Sequence, residues 1–345
     1  MTVKLVHVGL GGWGQDWELN AIGPVGEIER VAWVDAHKPT LDAARKRLDL
    51  PKDRCFTSIA AAFDAVECDA LLVTAPQPAH VPLAIEAMET GKHVLVEKPF
   101  AMSIDEAREG IAVSEQTGKV LMVSQQYRHY PAVRKTADLV STQAHGSVGT
   151  IRVDFRRWAN TAPTTGHKHY AIAHPLIFDM AIHHFDLMRL ILGKDAVSVY
   201  ARSTDASWSR FSDPGSAAIT IEFADGTVVS YRGSWVSPDQ HTFWAGNWNL
   251  ECEEGSIFFT GRQGGPAGID GDRVEVTPVG GEARAVAIDK PAFWGRSAGL
   301  VAFAEAIRSG TEPETSARNN LGSVALMIAA AESADTGKIV DVPQV

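Results

Sequence analysis

The chain is poor in cysteine, carries no excess of basic charge and contains no long apolar run, and each shortage removes a class of protein. Cys55, Cys68 and Cys252 are scattered, odd in number and form no CxxC pair. They make no disulfide framework, suit a reducing compartment, and read as small buried hydrophobes rather than metal ligands. No stretch of about 18 apolar residues occurs, which excludes a membrane-spanning helix. The 32 Lys and Arg are outnumbered by 42 Asp and Glu, for a net charge of -10; this balance argues against nucleic acid or an anionic membrane as the main partner. The N-terminus runs almost directly into an alternating apolar segment, Val3–Val8, with no apolar region behind a basic start. We therefore expect no signal peptide and a cytoplasmic location. Internal repeats and low-complexity segments are also missing.

What is present is enough apolar residue, 45% of 345, for two cores and hence two domains. Over residues 1–125, short apolar runs (Val3–Val8, Glu29–Val34, Ala70–Thr74, His93–Val96, Leu121–Ser124) alternate with helical stretches. Among the latter, Ile104–Thr117 has Ser103 and Glu106 at a capping-box spacing. This alternation predicts an α/β domain, a doubly wound parallel sheet with helices on both faces. Over residues 126–345 the pattern becomes α+β. Strand-like runs lie near 149–158, 196–203, 216–224, 227–236, 242–251 and 256–260, and helices are expected over 131–144, 175–192, 297–308 and 316–334. Asp225-Gly226 marks a hairpin. In Ala218–Phe223 the residues Ile219, Ile221 and Phe223 share one face. The second domain is thus expected to hold a large, open, mostly antiparallel sheet with helices on one side.

The strongest local motif is Gly9-Leu10-Gly11-Gly12-Trp13-Gly14, directly after the first predicted strand. Gly9 allows a tight turn, Gly11 lets backbone approach a pyrophosphate, and Gly14 lets helix pack closely on strand, while the helix N-terminus offers free N–H groups to phosphate. Asp35 ends the second strand, where this Rossmann fingerprint expects an acid for the ribose hydroxyls. An acid there favours NAD, because the 2′-phosphate of NADP would meet a like charge. His37 and Lys38 follow closely and can soften that preference, so NADP stays open.

Farther on, Pro78-Ala79-His80, the run Gly91–Pro99 ending Glu97-Lys98-Pro99, and Asp179-Met-Ala-Ile-His183-His184-Phe-Asp186 together resemble the Gfo/Idh/MocA oxidoreductases, near the inositol dehydrogenase-like pattern. The resemblance covers nearly the whole chain and names no substrate. It implies that Lys98 binds the reacting hydroxyl beside the nicotinamide, that Glu97 helps to position the cofactor, and that Thr74, Ala75, Pro76, His80 and Gln125 lie along it. It gives His183 the role of base and Asp179 a neighbouring hydroxyl, and it implies no metal. The residues support these roles independently. Lys98 follows a parallel strand at the end where such sheets bind ligands, and Asp179 and His183 are i, i+4 on one helical face. His184 points about 100° away from His183 and reads as a packing residue. An imidazole with an ordinary pKa near 6.5 suits proton removal from an alcohol as hydride leaves the same carbon.

Around this set the resemblance makes Tyr127 a substrate-side residue. Arg128 is either a substrate contact or one half of an ion pair, and the sequence does not separate the two. Trp158, Asn160, His167, His169, Tyr170 and His174 cluster before the predicted helix. Of these, Trp158, His169 and His174 are taken as substrate contacts, since a polyhydroxylated ligand needs many directional hydrogen bonds and one stacking face. The segment Ala171–Ile177 departs from the family's glycine-rich pattern, which puts the family's usual substrates in doubt. Trp208, Trp235, Phe243, Trp244 and Trp248 make the second sheet aromatic. Some should face outward if helices cover one side only, and pairing through this sheet into a homodimer or homotetramer is expected. The leading expectation is an NAD(P)-dependent sugar or cyclitol dehydrogenase. Alternatives are a glycosidase or lyase that uses bound NAD in a transient oxidation, and a non-catalytic sugar sensor; retention of Lys98, Asp179 and His183 argues against the sensor.

Overall fold

The computed structural model describes residues 2–161, 168–264 and 268–345, without the side chains of Lys168 and His169. The chain divides into two compact units, residues 1–126 with 293–321, and residues 127–292 with 322–345.

The first unit is a six-stranded, wholly parallel sheet of strands β1 (Val3–Val8), β2 (Ile28–Val34), β3 (Cys55–Phe56), β4 (Ala70–Val73), β5 (His93–Val96) and β6 (Leu121–Val123), ordered β3-β2-β1-β4-β5-β6. All but the short β3 are the apolar runs read from the sequence, and the central strands β1, β4, β5 and β6 are largely buried, as a helix-covered sheet requires. Order reverses between β1 and β4, so the loops after their carboxyl ends flank a crevice where open α/β sheets bind ligands. Helices α1 (Gly12–Trp17), α2 (Lys38–Leu48), α3 (Ile59–Ala65), α4 (His80–Glu89) and α5 (Ile104–Thr117) connect the strands. The hydroxyl of Ser103 caps α5 by accepting from the Glu106 amide at 3.1 Å, and the Glu106 carboxylate accepts from the amide of Met102 rather than of Ser103.

A single boundary at 125/126 misses one feature. Residues 293–321 return to the first unit, and there the helix over Gly295–Ser309 buries Leu300, Phe303 and Ala304 against Trp17, Ile22 and Leu5. The apolar positions on that helix are complementary to a core built 280 residues earlier, which no local pattern reveals.

The second unit is built on a nine-stranded sheet. Its central strands are β7 (Val148–Arg156), β8 (Ala196–Thr204), β9 (Ser216–Phe223), β10 (Val228–Ser234), β11 (Asn247–Cys252), β12 (Gly255–Thr260) and β13 (Arg273–Pro278). All neighbours pair antiparallel except β7 with β10. Burial alternates along β9, with Ala217, Ile219, Ile221 and Phe223 inward, and Gly226 turns the hairpin to β10 at φ 84°. Two expectations need correction. The strand expected from residue 242 starts only at Asn247, because Phe243–Gly246 closes a turn with Gly246 at φ 82°. The aromatic residues also do not form an outward face. Trp235 and Trp248 are buried, and Trp208 is exposed but lies in a loop. The exposed side of the sheet carries polar residues such as Thr220, Glu222, Arg232 and Glu251 instead. Among the described residues no helix is long and apolar enough to cross a membrane.

Candidate active site

In the first unit the loop after β1 has the geometry that its glycines suggested. Gly9 sits at φ 95°, and a Cβ there would lie 2.3 Å from the Ala75 amide nitrogen. At Gly14 a Cβ would lie 1.9 Å from the Gly9 carbonyl oxygen. Gly11 and Gly12, by contrast, face open space. Close packing therefore fixes two glycines while the other two leave backbone uncovered at the start of α1. Thr74 locks the turn: its hydroxyl lies 2.6 Å from the Gly9 carbonyl and 2.9 Å from His7 Nε2. Asp35 accepts from the Leu10 amide at 2.8 Å and from the His37 amide at 2.9 Å, which holds its carboxylate beside the glycine loop. The side chain of Gln125 is buried, and neither its amide nitrogen nor its oxygen has a hydrogen-bond partner among the described residues. An uncovered glycine turn, an acid at the next strand end and an unsatisfied buried amide fit a dinucleotide cofactor.

Several side chains assigned to the cofactor by resemblance are engaged in holding these loops. Glu97 is buried, accepting from the Trp17 indole at 2.8 Å and from the Lys98 amide at 3.1 Å. It braces the turn that presents Lys98 instead of reaching outward. The two ring nitrogens of His80 each lie 2.8 Å from a backbone carbonyl, those of Pro99 and Ala75. His80 thus ties the β4 and β5 loops together, and burial keeps its pKa below the ordinary histidine value. Lys98 is half-buried at the end of β5. Trp13 is 40% exposed. Over its ring, at 4.4 Å, stands the guanidinium of Arg296, which also lies over Trp17 and bonds Asp16. Arg296 was invisible in the sequence because it belongs to the returning segment.

In the second unit the predicted helix over 175–192 starts with a wider π-helical segment, Leu176–Ala181, before the α-helix Ile182–Leu192. Asp179 lies in the first part and His183 in the second. His183 is buried and stacks face to face on Tyr127, with ring centroids 4.0 Å apart and planes 4° from parallel. Tyr127 is therefore corrected from a substrate contact to the support of that imidazole. Only 1% of it is exposed, burial raises its pKa to about 12, and Arg262 hydrogen-bonds its hydroxyl. His184 is the packing residue expected. It is wholly buried, 3.1 Å from the Tyr231 hydroxyl and 3.2 Å from the Trp244 carbonyl, and desolvation lowers its pKa to about 4.

The remaining expectations for the substrate side divide. Arg128 grips Asp186 through Nε at 2.6 Å and Nη2 at 2.8 Å, with both groups buried and Ser323 donating to the same carboxylate. Of its two readings the ion pair stands, and the substrate contact is withdrawn. His174, at φ 42°, directs Nε2 to Asp335 at 3.3 Å, on the helix over Ala317–Thr336 and away from a substrate role. Trp158 is 37% exposed on the segment after β7. His167 and the side chain of His169 lie outside the described residues. Among the described residues no three His, Cys, Asp or Glu side chains group to hold a metal ion.

Comparison with known proteins matches residues 3–125 to the oxidoreductase family with an NAD-binding Rossmann fold, and residues 133–258 to the GFO/IDH/MocA C-terminal domain. An uncharacterized protein of Sinorhizobium fredii is 28% identical over 349 residues, covering 100% of this chain and 97% of that one. The D-apiose dehydrogenase of Paraburkholderia graminis is 26% identical, over 94% of this chain and 85% of its own. Among solved structures, an oxidoreductase from Agrobacterium radiobacter in complex with NAD+, L-tartaric acid and magnesium superposes with a TM-score of 0.83 at 22% identity, covering 99% of both chains. That likeness is one of fold.

Proposed function

Because the chain belongs to the Gfo/Idh/MocA family of NAD-binding oxidoreductases, we propose that it oxidises one secondary alcohol of a sugar, cyclitol or related polyol. The observation that carries this reading is the buried His183, held flat on Tyr127 and four residues beyond Asp179. The relation to a D-apiose dehydrogenase supports a sugar as substrate.

Bound NAD would supply the acceptor for the hydride that leaves the carbinol carbon. The uncovered backbone at Gly11 and Gly12 would hold the pyrophosphate, with Gly9 and Gly14 setting the turn; Asp35 would accept from the ribose hydroxyls, and Trp13, Thr74, Ala75 and Pro76 would line the cradle. Gln125 supplies a donor and an acceptor. The Lys98 ammonium stabilises negative charge as it develops on the alcohol oxygen, and the His183 ring takes the hydroxyl proton. Asp179 binds a neighbouring hydroxyl and so selects which one reacts. Tyr127 restrains the imidazole plane, which keeps the proton acceptor oriented.

Location and assembly follow the same reading. Free thiols at all three cysteines suit the cytoplasm. Pairing through the exposed face of the nine-stranded sheet into a homodimer or homotetramer would rest on polar contacts, and light scattering on the purified protein tests it.

The enzymatic test is NADH formation from a panel of inositols, aldoses and glycosides, with NAD or NADP at mildly alkaline pH. We expect turnover with one stereochemical group. Lys98→Met and His183→Asn should each lower kcat about a hundredfold or more while the NAD dissociation constant stays within about twofold. Loss of cofactor binding or of the fold in these variants would remove the assignment. Bound cofactor with no net NADH across the panel would shift the reading to a reaction that recycles NAD within each turnover.

A further inference from the structure

In the second unit the guanidinium groups of Arg157 and Arg262 form no ion pair with a carboxylate among the described residues, and both lie over the ring of Trp244. Arg157 follows β7, and its guanidinium carbon is 4.1 Å from the centroid of the Trp244 ring. Arg262 lies 5.4 Å from the same ring and 4.6 Å from that of Tyr127, whose other neighbour is His183. No role described so far uses Arg157.

Chemistry at the two sites differs. Arg262 is occupied by the hydroxyls of Tyr127 and Tyr130. It is held at φ 56° by the Asp272 carboxylate, which accepts from its amide at 2.7 Å. A left-handed backbone at a bulky residue persists only where surroundings impose it, and such positions concentrate at functional sites. Arg157 keeps two nitrogens, Nε and Nη2, shut off from solvent with no acceptor. Burial and the like charge of Arg262 lower its pKa, yet a guanidinium stays protonated. A buried charged donor without an acceptor is costly unless a ligand supplies one.

The identity of the free edge indicates which ligand. Nε and Nη2 form the side-on fork that meets the two oxygens of a carboxylate. This chain uses that same edge elsewhere: Arg128 receives Asp186, and Arg232 receives Asp154, each through Nε and Nη2. We propose that the substrate is a sugar acid and that Arg157, with Arg262 adding positive field, binds its carboxylate while His183 acts on a hydroxyl of the same molecule. The inference rests on the assignment of His183 as the base. It narrows the substrate class from neutral polyols to aldonates or uronates.

Matched pairs that differ only in the carboxylate test this: D-gluconate with D-glucitol, D-glucuronate with D-glucose, and D-galacturonate with D-galactose, plus glucose 6-phosphate for a phosphate source. Binding to the NAD-loaded protein is measured by calorimetry, and NADH formation is followed in parallel. We expect at least one acid to bind about tenfold or more tightly than its neutral partner. Arg157→Gln should weaken that acid about a hundredfold, and Arg157→Lys, which keeps the charge but loses the fork, about tenfold. If Arg157→Gln does not fold, Arg157→Lys carries the comparison. Equal affinity for acid and neutral partners, preference for the phosphate ester, or no acid whose binding depends on Arg157 overturns the inference. Turnover of a neutral polyol without acid preference leaves the dehydrogenase reading intact and removes this one. Arg157-dependent binding of an acid with no NADH from any compound does the reverse.

Discussion

Acidification offers a direct test of how His184 is buried. The ring is wholly enclosed between Tyr231 and the Trp244 carbonyl, and desolvation lowers its pKa to about 4. In the unfolded chain the same ring titrates near 6.5. Between those values the unfolded state binds a proton that the folded state refuses. Stability is therefore lost as pH falls from about 6.5 toward about 4, and below that the contribution is level. At pH 7 the unfolded ring is mostly neutral and the penalty is small. At pH 5 it is almost fully protonated while the folded ring stays neutral, which costs the fold about 2 kcal/mol. The assay is urea unfolding at pH 7 and at pH 5, for the wild type and for His184→Gln. Every other titrating group is common to both proteins, so the quantity of interest is the difference between their two pH-dependent losses. The wild type should lose about 2 kcal/mol more than the variant. Equal losses would refute the claim that His184 is held neutral by burial.

Other expectations follow from single contacts. Gly14→Ala places a Cβ 1.9 Å from the Gly9 carbonyl oxygen, so NAD affinity measured by calorimetry should fall about tenfold or more as the turn is displaced. Arg128→Ala leaves Asp186 charged and buried with its bidentate partner gone, and denaturant unfolding should register a loss of about 3–5 kcal/mol. Asp35→Ser removes the charge that would face a 2′-phosphate while keeping an acceptor for the Leu10 amide. The ratio of kcat/KM for NADP to that for NAD should rise about tenfold or more, close to the 1.4 kcal/mol that one decade represents.

The first sheet is legible because its central strands are buried and stand out as short apolar runs between helical stretches, whereas the two-residue β3 has no such run. The glycine loop is equally plain, since Gly9 and Gly14 each meet a local backbone demand. What escaped the sequence is long-range. Arg262 meets Tyr127 across 135 positions, and Arg296 meets Trp13 through a segment that follows residues 127–292 of the second unit. Contacts at such separations leave no periodic or motif signal. The resemblance carried residue identities but not the direction of each side chain. Glu97, His80 and Tyr127 each hold a neighbour in place, because their polar atoms find buried partners nearby. Sequence alone does not decide Arg128 for the same reason, since its partner Asp186 is 58 positions away.

The return of residues 293–321 to the first unit makes the second unit largely an insertion within the first. A ribosome releases the whole parallel sheet long before it makes Leu300, Phe303 and Ala304, which complete that sheet's core beside Trp17. During synthesis the nucleotide-binding half must persist with an apolar flank uncovered until the chain is almost finished, a state open to chaperones and to aggregation. A gene fragment ending near residue 126 would inherit that state permanently. A chimera that exchanges the cofactor half between relatives has to carry both segments to be foldable.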